Sequence, residues 1–104
     1  MGFSIQITTV KFTDAKEETL LDLFFNNRHE DERYDIMQKL HQIEGVWALG
    51  TIALNGRHED ERFYAMERVV MIGGDAATHV LGEISKKSKH EDERQRARNL
   101  LMDT

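Results

Sequence analysis

The sequence predicts an all-α protein: a short right-handed solenoid (an α-α superhelix) of three helical hairpins, with an extended arm at the N-terminus. Two observations carry that expectation. The word His-Glu-Asp-Glu-Arg stands at 29–33, 58–62 and 90–94, each time behind a basic residue, Arg28, Arg57 or Lys89. The copies start 29 and 32 residues apart, a period that marks stacked units of one helix pair each. Apolar residues also recur at helical spacing on both sides of every copy. The chain has no Pro, which leaves its helix stops to Gly and Asn.

The unit is longer than the word. Aligning His58 with His90 puts Trp47-Ala48-Leu49-Gly50-Thr51-Ile52 on His79-Val80-Leu81-Gly82-Glu83-Ile84 without gaps. Aligning His29 with His58 puts Leu20 on Leu49, Leu23 on Ile52, Tyr34 on Phe63, Met37 on Met66, Leu40 on Val69 and Ile43 on Ile72. The extra residues of the middle unit fall in Gly73-Gly74-Asp75, where a turn tolerates insertion.

The elements follow in order. Phe3, Ile5 and Ile7 alternate with polar residues, a strand pattern over 3–12. One strand alone is not stable. Residues 1–13 are therefore expected to lie along the helices as an arm, or to pair with another chain. Residues 14–104 form the repeats. Thr13 or Asp14 caps a first helix over 15–26, with Leu20, Leu21, Leu23 and Phe24 on its apolar face. A second helix over 29–43 carries Tyr34, Ile36, Met37, Leu40 and Ile43 and is broken by Gly45. The third, 46–54, stops at Asn55-Gly56, and the fourth, 58–72, at Gly73-Gly74. Asp75 is expected to cap a fifth helix over 76–87, and a sixth covers 90–102.

Composition excludes several classes. At 104 residues the chain is one domain with a modest core. A net charge of −5 argues against nucleic acid as the partner. Lys86, Lys87, Lys89, Arg94, Arg96 and Arg98 crowd the end of the chain, but Glu91, Asp92 and Glu93 dilute them, so they read as a solvated helix. No apolar run is long enough for a bilayer, no leader pattern precedes the arm, and there is no Cys. The expectation is a cytoplasmic monomer or weak dimer that binds no membrane and no cofactor.

The repeated word first reads as a helix start. Asn27 and Ser88 stand three residues before Glu30 and Glu91, the spacing of a capping box, and Gly56 keeps half of that device with Glu59. Three acidic residues in a first turn also complement the helix dipole. If equivalent positions lie side by side at about 10 Å, the ordinary helix–helix distance, nine carboxylates form one acidic ridge: Glu30, Asp31, Glu32, Glu59, Asp60, Glu61, Glu91, Asp92 and Glu93. Such a ridge attracts a basic partner and speeds its arrival. Trp47 is expected in the core or, on an open face, as a binding anchor.

With Arg62, Ala65, Val69, Ile72, Gly73 and Asp75 in that order, the chain resembles the HEAT-like repeats of the phycobilisome-lyase type. Arg33, Ile36, Leu40 and Ile43 follow the same order in the first copy, and Arg94, Ala97 and Leu101 in the third. The resemblance covers about residues 18–102 and implies a stack of HEAT-like hairpins. It departs from the family at Glu32, Glu61 and Glu93, where those repeats carry a hydrophobic residue before the Arg. Related di-iron hydroxylases carry His-Glu pairs as ligands, which here points to His29-Glu30, His58-Glu59 and His90-Glu91. In those enzymes, however, the pair follows the Arg of the repeat, and here it precedes it.

No nucleophile elbow, glycine-rich phosphate loop or HExxH motif is present. The expected function is a non-catalytic protein-binding module, most specifically a small acidic inhibitor such as an immunity protein or antitoxin. Its partner would be a basic protein, a toxin or nuclease domain, and it would need no metal. The alternatives are a metal-dependent protein built on the His-Glu pairs, or a lyase-like chaperone or adaptor subunit.

Overall fold

A computed structural model describes residues 14–103. They form six helices: α1 (Ala15–Phe25), α2 (Glu30–Gln42), α3 (Val46–Asn55), α4 (Glu59–Ile72), α5 (Gly74–Lys87) and α6 (Glu91–Met102). No strand occurs among the described residues, and none of the helices is long and apolar enough to cross a membrane. The strand and arm expected over 1–13 lie outside the described residues.

Each boundary has a local cause. Asp14 caps α1 through a complete capping box: its side chain accepts from the Glu17 amide at 2.9 Å, and Glu17 accepts from the Asp14 amide at 3.4 Å. Lys39 lies in the last turn of α2, where a cation complements the dipole. The expected cap at Asp75 is corrected. α5 begins earlier, at Gly74, and Asp75 lies inside its first turn. The reason is backbone freedom: Gly73 and Gly74 have φ of 72° and 90°, a left-handed pair that only glycine adopts without strain. With Gly73 ending α4 and starting α5, the turn shrinks to a single residue. At the other turn, between α2 and α3, the left-handed position is taken by Glu44 with φ of 56°.

α3 is the spine. It is apolar on all sides (Val46, Ala48, Leu49, Ile52, Ala53 and Leu54 are all buried), the pattern of a helix surrounded by others. It packs against α1, α2, α4 and α5. Within the chain, α1 pairs with α2, α3 with α4 and α5 with α6. Each pair touches only the pair next to it in sequence. Met37, Leu40, Leu49, Ile52, Met66, Val69, Val80 and Ile84 fill the core with almost no exposure. They stand at the positions where the repeat alignment superposes its apolar residues.

One buried carboxylate ties the first pair to the second. Glu17 reaches from α1 to accept the Ala48 amide at 3.0 Å. α3 starts at Gly45, which offers no side-chain cap, so Glu17 supplies from another helix the acceptor that the start of α3 lacks. Burial pushes the Glu17 carboxyl above its ordinary range.

Candidate functional site: a ladder of arginine and glutamate at the helix starts

The three words open α2, α4 and α6, and the structure brings their starts together. Arg33 grips Glu61 with two bonds, Nε to Oε1 at 2.9 Å and Nη2 to Oε2 at 2.8 Å. Arg62 grips Glu93, Nε to Oε1 at 2.7 Å. The fifth residue of the first and of the second word therefore clasps the fourth residue of the next. Glu61 and Glu93 are 1% exposed, and their arginine partners are nearly as deep.

Each arginine also reaches back to its own chain. Arg33 Nη1 donates to the Asn27 carbonyl at 3.2 Å, Arg62 Nη1 to Gly56 at 2.9 Å, and Arg94 Nη1 to Ser88 at 2.6 Å. The acceptor is always six residues before the arginine, so the word staples the loop that precedes its helix. The middle copy needs Gly56 for this. A Cβ there would lie 2.9 Å from the Ile52 carbonyl and 3.1 Å from Arg62 Cγ.

The expected capping boxes at the words are corrected. The residues that precede the helices are His29, His58 and His90, and none makes a side-chain cap bond. Asn27 and Ser88 instead accept from the His29 and His90 amides at 2.9 and 3.1 Å. They also hold the fourth residue of their own word: Asn27 Nδ2 donates to Glu32 Oε1 at 3.0 Å, and Ser88 Oγ to Glu93 Oε2 at 3.0 Å.

The ridge of nine carboxylates is corrected accordingly. Glu61 and Glu93 leave it, because they are ladder rungs. Glu30, Asp31, Glu32, Glu59, Asp60, Glu91 and Asp92 are exposed. Arg28, Arg57 and Lys89 are exposed beside them, so the edge is acidic in balance but not uniformly so. A groove of about 540 Å³ opens between the first two words, lined by Phe24, Phe25, Arg28, Arg33, Arg57, His58 and Glu61 among others.

An aromatic patch adjoins the edge. Tyr34 donates to Asp60 at 3.4 Å and meets Tyr64 edge to face with ring centres 4.8 Å apart. Partial burial and the charges of Asp60 and Glu61 push the Tyr34 phenol up to about 12. The Arg68 guanidinium stands 4.4 Å over the Tyr64 ring and meets His41 Nδ1 at 3.1 Å. Trp47 is half-buried against the core, with its ring 5.6 Å from that of His79. It lies on α3, whereas the words start α2, α4 and α6.

The His-Glu pairs stay apart, one at each helix start, and no three His, Asp or Glu side chains converge on a common point among the described residues. A signal for the ladder did exist in the sequence. Glu and Arg at adjacent positions of a helix cannot face each other. A Glu-Arg step copied three times is therefore better placed to pair between copies than within one.

Comparison with protein families, with curated proteins and with solved structures finds no match to this chain. The likeness to HEAT-like repeats gains no support there and rests on the residues quoted for it.

Proposed function

We propose that this chain is a non-catalytic binding module whose acidic edge captures a basic protein, in the specific form of a small inhibitor that covers a basic functional surface of its partner. One observation carries the reading. Seven exposed carboxylates, Glu30, Asp31, Glu32, Glu59, Asp60, Glu91 and Asp92, stand at three helix starts that the buried ladder locks side by side. Buried ion pairs fix a geometry, and fixed charges steer an incoming partner without losing side-chain order on contact. Tyr34, partly buried and backed by Tyr64, adds an aromatic edge next to Asp60, of the kind that anchors an interface. The short right-handed solenoid of HEAT-like hairpins goes with this reading: among the described residues each helix pair touches only its sequence neighbour, as in an architecture that presents extended surfaces.

The test is charge reversal restricted to exposed positions. Glu59→Lys with Asp60→Lys leaves every rung in place, because Glu61 is untouched. Captured from the host and identified by mass spectrometry, a basic stoichiometric partner should associate more than tenfold more slowly with the variant, with a weaker dependence on salt. A partner that binds wild type and variant at the same rate at every salt concentration would sink the proposal.

A further inference from the structure

The ladder has two rungs and two open ends, and the ends match. At one end Arg94 holds the position that Arg33 and Arg62 hold in their words. It is stapled the same way, Nη1 to the Ser88 carbonyl at 2.6 Å. Its sideways reach meets no glutamate of a following word. Among the described residues the carboxylate that meets it is that of Glu91 in its own helix, 4.0 Å from Nη2, and the Arg94 side chain is 30% exposed. At the other end Glu32 holds the position of Glu61 and Glu93. Asn27 orients it through Oε1 at 3.0 Å, as Ser88 orients Glu93 through Oε2. Among the described residues no arginine grips it, and it is exposed.

A second, independent observation concerns the first helix pair, α1 and α2, to which Glu32 also belongs. In the repeat alignment Leu23 stands where Ile52 and Ile84 stand in the later units. Ile52 and Ile84 are fully buried, whereas Leu23 is 53% exposed. Leu20 is only partly buried, while its counterparts Leu49 and Leu81 are buried. The first unit thus leaves Leu23 exposed, and Leu20 only partly covered, where the later units bury their counterparts.

We propose that copies of this chain stack head to tail, the Arg94 guanidinium of one copy clasping the Glu32 carboxylate of the next. The partner is a second copy because both halves of the clasp are already oriented by their own loops, in the way the two interior rungs are. The contact joins different faces and so does not close on itself as a two-fold dimer does; it extends into short chains as concentration rises. A guanidinium–carboxylate clasp at a rim is screened by salt, so the stacking weakens as salt rises. This proposal does not depend on the nature of any basic partner.

Sedimentation velocity and equilibrium on the purified full chain test it, over about 10 μM to about 1 mM, the range in which weak contacts show. Wild type should gain weight-average mass with concentration and lose that gain in high salt. Arg94→Glu alone and Glu32→Arg alone each bring like charges together at the junction, and each should lower the association constant at least tenfold. Mixed in equal amounts, the two variants restore opposite charges at both junctions and should associate again, which also shows that both are folded. Wild type that stays monomeric at every concentration overturns the proposal. So does association that persists unchanged in each single variant, or a mixture that fails to recover it.

Discussion

Arg62 is the side chain whose loss should cost the fold most for its size. It is 6% exposed, it grips Glu93 at 2.7 Å, and it holds the Gly56 carbonyl at 2.9 Å. Arg62→Met keeps the aliphatic stem and removes the charge. Glu93, 1% exposed, is then left in the interior without its cation, held among the described residues by the Ser88 hydroxyl. Removing one partner of a buried pair costs about 3–5 kcal/mol, a large share of the roughly 5–15 kcal/mol that holds a domain of this size together. Arg94→Met removes the same atoms from the same place in the word. It strands no buried carboxylate: a part-buried bond to the Ser88 carbonyl and a long, exposed contact with Glu91 are lost, at about 1–2 kcal/mol.

Urea unfolding followed by circular dichroism reads both variants, with equal slopes confirming that the comparison is one of stability. Arg62→Met combined with Glu93→Leu should recover about 2 kcal/mol or more of the single-variant loss, because an apolar pair of similar volume replaces a stranded charge. The reasoning is refuted if Arg62→Met and Arg94→Met cost the same, or if the coupling between positions 62 and 93 is below about 0.5 kcal/mol, the limit of additivity for independent sites.

Two further predictions follow from the same elements. Gly56→Ala should destabilise the chain by about 1–3 kcal/mol, the usual range for overpacking, because the new methyl meets the Ile52 carbonyl and the Arg62 stem; urea midpoints measure it, and a neutral result would mean that the loop before α4 shifts freely. Tyr34 should stay protonated in the folded chain above pH 10, since its phenol is pushed up to about 12. The unfolded chain loses that proton near 10, so the folded state binds more protons between about 10 and 12, and stability falls as pH rises through that window. Tyr34→Phe should remove part of that fall, as unfolding midpoints at pH 9 and 11 would show; an unchanged slope would place the effect elsewhere.

Much of the architecture was legible because it is written in local patterns. Helix ends at Asp14, Asn55 and Gly73 follow from capping and backbone freedom within a residue or two. The start of α5 was misplaced because Asp75 is a good cap by type, while the left-handed pair Gly73-Gly74 sets where the chain turns. The candidate site was half legible. The exposed Glu30, Asp31, Glu59, Asp60, Glu91 and Asp92 stand where first-turn reasoning puts them. Glu61 and Glu93 do not, because reasoning about one helix at a time sees a first turn as solvent-facing. Their burial is decided by the helix next door, through an arginine 28 or 31 residues away.

The word thus does two jobs with different residues. Its second and third positions are exposed in all three copies. Its fourth and fifth positions belong to two units at once. Arg33 fixes its own loop and the start of α4; Arg62 fixes its own loop and the start of α6. One charged rung crosses from α2 to α4 and another from α4 to α6, each beside the apolar core. No α1–α2 pair with so short an apolar stripe would stand alone. A rung that is complete only when two units are in register makes folding of one unit depend on the next, and it sets the exposed carboxylates at the spacing of the rungs. The geometry of the acidic edge is therefore a by-product of the contacts that hold the repeats together.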